Sequence, residues 1–144
     1  RYFGYVCFRE KKMKIKRIDH VTINIIDIGK TKYFYHELLG LEELSSIDMG
    51  DHLLRYFKIS DTEKLELTEY RFLTRFDPSH DAKDKGTVRH IAFVVDNAYE
   101  IEKKLEANGY YFHVPVSYNE KLGFSGGLVN DPNGIELEFL HYGR

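Results

Sequence analysis

A single cysteine, Cys7, stands among 144 residues, and tryptophan is absent. One thiol excludes an intramolecular disulfide and suits a reducing compartment. No apolar run approaches the length of a membrane span. An excess of charge of one sign is also missing: 21 basic and 23 acidic side chains are well mixed and leave a formal net charge of −2. That balance gives no support to a nucleic-acid or membrane-surface partner. The opening stretch YFGYVCF is short, aromatic and followed by charges. It lacks the basic start and small-residue cleavage site of a signal peptide, so a cytoplasmic location is the default expectation. Prolines number three, and 42% hydrophobic with 31% charged residues is an ordinary globular composition. The length fits one domain with a sizeable core.

Alternating apolar and polar positions organise most of the chain. Around His20 the odd positions Val21, Ile23 and Ile25 are apolar, and the even ones are His20, Thr22 and Asn24. Period two predicts a strand with one apolar and one polar face. Asp27 offers a helix N-cap, Lys30 to Leu39 reads as helix, and Gly40 closes it. Residues 41–48, 51–59 and 63–71 read as strands, separated by turn signals at Gly50–Asp51 and Ser60–Asp61. The polar segment Phe72 to Gly86 reads as a connection, after which the order repeats. A strand over Val88 to Val95 leads to Asn97 and Glu100, a capping-box pair for a helix over 98–108 that Gly109 ends. Strands at about 110–116, 123–130 and 134–141 follow. The chain reads as an α+β fold of two βαβββ modules, about 17–71 and 87–142, in one domain over 13–144. Residues 1–12 read as an N-terminal extension, accessory, disordered or upstream of a start at Met13, and Lys11, Lys12, Lys14, Lys16 and Arg17 as a solvated arm.

Within this repeat two histidines and two glutamates share a frame. His20 in IDHVTINI and Glu66 in KLELTEY are 46 residues apart; His90 in VRHIAFVV and Glu138 in IELEFL are 48 apart. Parity sets Glu66 opposite Leu65 and Leu67, and Glu138 opposite Ile135, Leu137 and Phe139. If each helix covers its own sheet, His20 and His90 lie on the faces left to line a shared cleft. A lone strand histidine is more often a packing residue than a ligand. Two of them, each answered by an in-parity glutamate, favour one divalent-metal site. Imidazole and carboxylate suit zinc, nickel, cobalt, iron or manganese, and the frame holds no cysteine ligand, which argues against a tetrahedral structural zinc site. Glu136 has the parity of Glu138 and remains a second choice. His36 and Glu37 read as helix surface, and His52, His80, His113 and His141 have no partner in the frame. Tyr70 has cleft parity, with Tyr56 or Arg55 as further lining.

The stretches IDHVTINIID, YFYHELLGLEE, KLELTEY, VRHIAFVVDNAYEIEKKLEANG and GLVNDPNGIELEFL occur in that order over most of residues 17–141. They resemble the vicinal oxygen chelate superfamily, which includes glyoxalase I, extradiol dioxygenases, methylmalonyl-CoA epimerase and the fosfomycin and bleomycin resistance proteins. The resemblance implies two paired modules forming a curved, mostly antiparallel sheet around a metal-binding cleft. It implies His20, Glu66, His90 and Glu138 as ligands, the last placed four residues after Gly134 of the DPNG motif. One divalent ion per site is implied, with zinc, nickel or cobalt favoured, and a homodimer, the site forming within one chain or across two.

Such an ion keeps positions for two adjacent substrate oxygens and acts as a Lewis acid toward an enediolate or enolate. A rim carboxylate takes the proton, Glu138 before Glu66. The expectation is therefore a metal-dependent lyase or isomerase of the glyoxalase I type acting on a small molecule. EYRF after ELT and the approach GFSGGLVNDP depart from glyoxalase I and put glutathione conjugates in doubt. One alternative is an Fe(II)-dependent extradiol-type dioxygenase using His20, His90 and Glu138, with Glu66 surplus. Another is a non-enzymatic protein that sequesters a small molecule or drug.

Overall fold

The structure is a computed structural model describing residues 15–72 and 89–144. The extension 1–12, Cys7, His80 and most of the connection read over 72–86 lie outside the described residues.

Two mixed sheets, one per module, carry the fold. The first module comprises β1 (His20–Asn24), α1 (Ile28–Lys32), β2 (Glu42–Glu43), β3 (Ile47–Asp48), β4 (His52–Lys58) and β5 (Lys64–Tyr70). Its strand order is β1-β5-β4-β2, with β3 also on β4. The second comprises β6 (Ile91–Val94), α2 (Ala98–Glu106), β7 (Val114–Asn119), β8 (Phe124–Asn130) and β9 (Glu136–Tyr142), in the order β6-β9-β8-β7. In both, the first strand pairs parallel with the last, and the remaining pairings are antiparallel. A parallel pair needs a long crossover, which the helix and two hairpins supply.

Local chemistry explains the boundaries. The Asp27 carboxylate accepts from the Lys30 N–H at 3.0 Å and starts α1. The helix predicted to Leu39 widens instead into a π-helical turn over Tyr33–Leu38, where the Leu39 N–H reaches back to the Phe34 carbonyl. Gly40 and Gly109 end their helices at positive φ, as their positions predict. The Asn97 side chain accepts from the Tyr99 and Glu100 N–H groups. The strand read over 41–48 is two short pieces on β4. On β8, Gly127 lies beneath a register shift in β7, where an added Cβ would sit 2.8 Å from the Val114 carbonyl and the Val116 amide. Only glycine fits there.

α2 packs on β7, β8 and β9 of its own sheet, Tyr35 of the π turn stacks on Phe57 of β4, and the buried side chains of both modules form one core. Phe34, Tyr35, Phe57, Leu65 and Leu67 are fully buried with Leu105, Leu137 and Phe139 of the second module. Polar contacts lock the modules together. The Tyr35 hydroxyl donates to the buried Asp131 carboxylate at 2.7 Å. The Ile26 N–H donates to the Asn133 side-chain oxygen at 3.1 Å, and the Asn133 amide donates to Thr31 at 3.3 Å. Asp131 also accepts the N–H groups of Asn133 and Ile135, so the DPNG turn is held rigid where it feeds β9. No helix among the described residues is long and apolar enough to cross a membrane.

Candidate metal centre

Strand register places the four frame residues in matching surroundings. Thr22 pairs with Glu66, and Ala92 pairs with Glu138, so each glutamate stands beside the residue two places after its histidine. The pairs differ in what else touches them.

In the first module, His20 Nε2 lies 3.8 Å from Glu66 Oε2. Its other ring nitrogen, Nδ1, lies 2.8 Å from Asp19 Oδ2. Glu66 is buried and held from two sides. The Thr22 hydroxyl donates to Oε1 at 2.9 Å, and Tyr56 stands opposite Glu66 on β4, its hydroxyl lowering the proton affinity of the same carboxylate. Burial raises the proton affinity of Glu66, but the Tyr56 and Thr22 hydrogen bonds, with His20 and Lys64 nearby, leave it below the usual carboxylate range. The reciprocal effect pushes the Tyr56 hydroxyl up to about 12, chiefly through its bond to Glu66.

In the second module, His90 Nε2 lies 3.0 Å from Glu138 Oε2. Glu138 is flanked in the sheet by Ala92 and Leu128, neither of which can donate a side-chain hydrogen bond. Glu136, two residues earlier on the same face, is only 7% exposed. His113 Nε2 reaches its Oε2 at 2.9 Å, and Arg89 Nε lies 3.7 Å from its Oε1. That same Oε1 lies 3.5 Å from His90 Nδ1, an atom that is buried and has no hydrogen-bond partner among the described residues.

A cavity of about 310 Å³ lies between the modules, lined by Val21, Thr22 and Ile23 of β1, by Arg89, His90 and Ile91, and by Gly134, Ile135 and Glu136. The first strands of both modules therefore open onto common space. The donor types suit a borderline divalent ion, and the two pairs differ in spacing, 3.0 Å for His90–Glu138 and 3.8 Å for His20–Glu66. Ligand atoms about 2.1 Å from an ion stand roughly 3.0–3.4 Å from each other, and the His90–Glu138 separation falls in that range. Among the described residues no group of three or more His, Cys, Asp or Glu side chains is gathered closely enough to hold an ion. One chain thus brings the four frame residues together two and two.

Several contributors were not visible as such in the sequence. Asp19 and Thr22 flank His20, but their roles depend on a partner 44 or more residues away or on a ring orientation. His113, with no counterpart in the repeat, is joined to Glu136 by the β7–β8–β9 pairing. His141 accepts the Ala98 N–H at 2.9 Å and ties the start of α2 to β9. Of the suggested lining residues, Tyr56 lies on the Glu66 face. Arg55 does not: it stands opposite Leu67 and its Nε bonds to Glu69 at 2.6 Å, because adjacent strand residues face opposite ways. Tyr70 is exposed at the strand end against the His52 ring.

A family model described as Glyoxalase/Bleomycin resistance protein/Dioxygenase superfamily matches residues 17–139. A glyoxalase family protein from Enterococcus faecalis is 27% identical, covering 89% of this chain and 99% of its own, with a TM-score of 0.69. A trypanothione-dependent glyoxalase I from Leishmania major is also 27% identical, covering 88% and 87%, with a TM-score of 0.67. A glyoxalase/dioxygenase from Nostoc punctiforme shares the fold at 20% identity, covering 90% and 92%, with a TM-score of 0.72. No curated protein matches by sequence.

Proposed function

The chain belongs to the Glyoxalase/Bleomycin resistance protein/Dioxygenase superfamily, and from that premise we propose that it is a divalent-metal-dependent lyase or isomerase of the glyoxalase I type. Its substrate is a small molecule offering two adjacent oxygens. His20, Glu66, His90 and Glu138 hold the ion, with zinc, nickel or cobalt favoured over manganese or iron. When bound, the ion supplies Lewis acidity to the substrate oxygens.

The observation that carries the proposal is the unequal treatment of the two glutamates. Thr22 and Tyr56 fix Glu66 and favour its charged form. A carboxylate held that way is a steady ligand and a poor base. Among the described residues Glu138 has His90 as its one polar side-chain partner, between Ala92 and Leu128. It is the one free to turn toward a substrate, take a proton from the carbon beside a carbonyl and return it to the neighbouring carbon. Retention of Glu66 in a two-sided clamp weighs against the dioxygenase alternative, in which it would be surplus.

The half-and-half placement of the ligands favours a homodimer in which one protomer's first module faces its partner's second.

Metal content of the purified protein, measured by mass spectrometry beside His90→Ala, tests the site. About one ion per chain, lost in the variant, is expected. Turnover of a methylglyoxal–thiol adduct then tests the reaction. Glu138→Gln should lower it by about 10²-fold or more, the usual contribution of a positioned base. No metal in the wild-type protein after divalent ions are added back would end the proposal.

A further inference from the structure

We infer that Glu136 and Asp19 are positioning residues that orient His90 and His20 so that both present Nε2 to the metal; this rests on the metal reading above. Each histidine has its Nε2 toward the glutamate of its own pair, Glu66 or Glu138. Each has its Nδ1 toward a different carboxylate. The two orienting carboxylates come from unrelated places. Asp19 precedes His20 in the chain, whereas Glu136 enters from β9, so the repeated geometry does not follow from repeated sequence.

The Asp19 contact, at 2.8 Å, is a formed hydrogen bond. The Glu136 contact, at 3.5 Å, is poised rather than formed, and it leaves His90 Nδ1 buried without a partner among the described residues. An unpaired buried ring nitrogen is costly, and Glu136 Oε1 is the acceptor that faces it. A movement of about half an ångström completes the bond. His113 holds the opposite oxygen of Glu136 at 2.9 Å, which keeps the carboxylate aimed across the sheet at His90. A carboxylate on Nδ1–H leaves the Nε2 lone pair for the ion and makes the imidazole a stronger donor. Glu136 is on this account a support for His90 rather than the fourth ligand, a question its strand parity alone left open.

The test uses the full chain with zinc as probe, comparing wild type, Glu136→Gln and Asp19→Ala. Zinc affinity is measured by competition with a chelator, stoichiometry by mass spectrometry and ring protonation by nitrogen-15 NMR of the histidines. Each variant should keep the wild-type stoichiometry while its affinity falls about 10–100-fold, the usual cost of losing an orienting partner. The zinc-loaded wild type should carry protons on Nδ1 of both His20 and His90. Asp19 is exposed, so its variant folds even if the buried Glu136 change does not. Affinity within twofold of wild type in both variants, or zinc on Nδ1, overturns the inference while leaving the metal site standing. Lost stoichiometry in a folded Glu136→Gln makes Glu136 a ligand and equally overturns its positioning role. A wild-type protein that takes up no zinc or any other divalent ion removes the metal reading and this inference with it.

Discussion

Replacing Tyr35 by phenylalanine removes one hydroxyl from the lock between the modules and leaves the packing intact. That hydroxyl donates to Asp131 Oδ2 at 2.7 Å, and both residues are buried. A hydrogen bond to a charged group contributes about 1.5–3 kcal/mol net. Asp131 keeps the N–H groups of Asn133 and Ile135 at 2.8 Å and the Asn133 side-chain amide at 3.1 Å, so its carboxylate is not left bare. The cost should therefore be about 2 kcal/mol, or roughly 4–8 °C in melting temperature for a domain of this size. Tryptophan is absent, so far-UV circular dichroism in urea is the suitable assay. A cycle with Asp131→Asn should give a coupling of about 1 kcal/mol or more, because the residues touch. The pH dependence has a definite sign. Burial, foremost, raises the Asp131 pKa above 3.8, and the bonds from Tyr35, Ile135 and Asn133 reverse only part of this. The folded state therefore holds that proton more tightly than the unfolded chain. The resulting stability is fully present below pH 3.8 and is lost as pH rises through the folded value, a slope that Asp131→Asn should abolish. A cost below about 0.5 kcal/mol for Tyr35→Phe, with additive double-mutant behaviour, would refute the reasoning.

Three further outcomes follow from the geometry. Thr22→Val removes the donor to Glu66 Oε1, so zinc affinity should fall about 10-fold with little change in stability; unchanged affinity in chelator competition would show that the clamp is not needed. Mixing His20→Ala with His90→Ala chains should restore metal binding at one of the two sites of a heterodimer if each site spans two chains, and at neither if it forms within one. Gly127→Ala should destabilise by about 1–3 kcal/mol, read as a lowered urea midpoint, because its Cβ meets backbone at 2.8 Å on two sides; an unchanged midpoint would mean that β7 yields freely.

Local patterns in the chain decided a large share of this structure. Period two around His20 and His90 determined which residues face away from the helices, since neighbouring strand residues must point to opposite sides. Asp27, Asn97, Gly40 and Gly109 marked helix ends because capping acts within a few residues. The repeat carried the alignment of Thr22 with Glu66 and Ala92 with Glu138. The widening of the first helix into a π turn over Tyr33–Leu38 and the break between β2 and β3 have no counterpart in the local pattern of residues 33–48. Other features depend on side chains brought together by folding. Tyr56 reaches Glu66 only through the β4–β5 register, and His113 reaches Glu136 only across three strands. Tyr35 and Asp131 are 96 positions apart. Residue types and strand parity thus named the candidate donors, whereas only the tertiary structure set them as two pairs, His20 with Glu66 and His90 with Glu138. Tertiary structure is a long-range balance of core packing and buried hydrogen bonds, and no local period in the sequence encodes it.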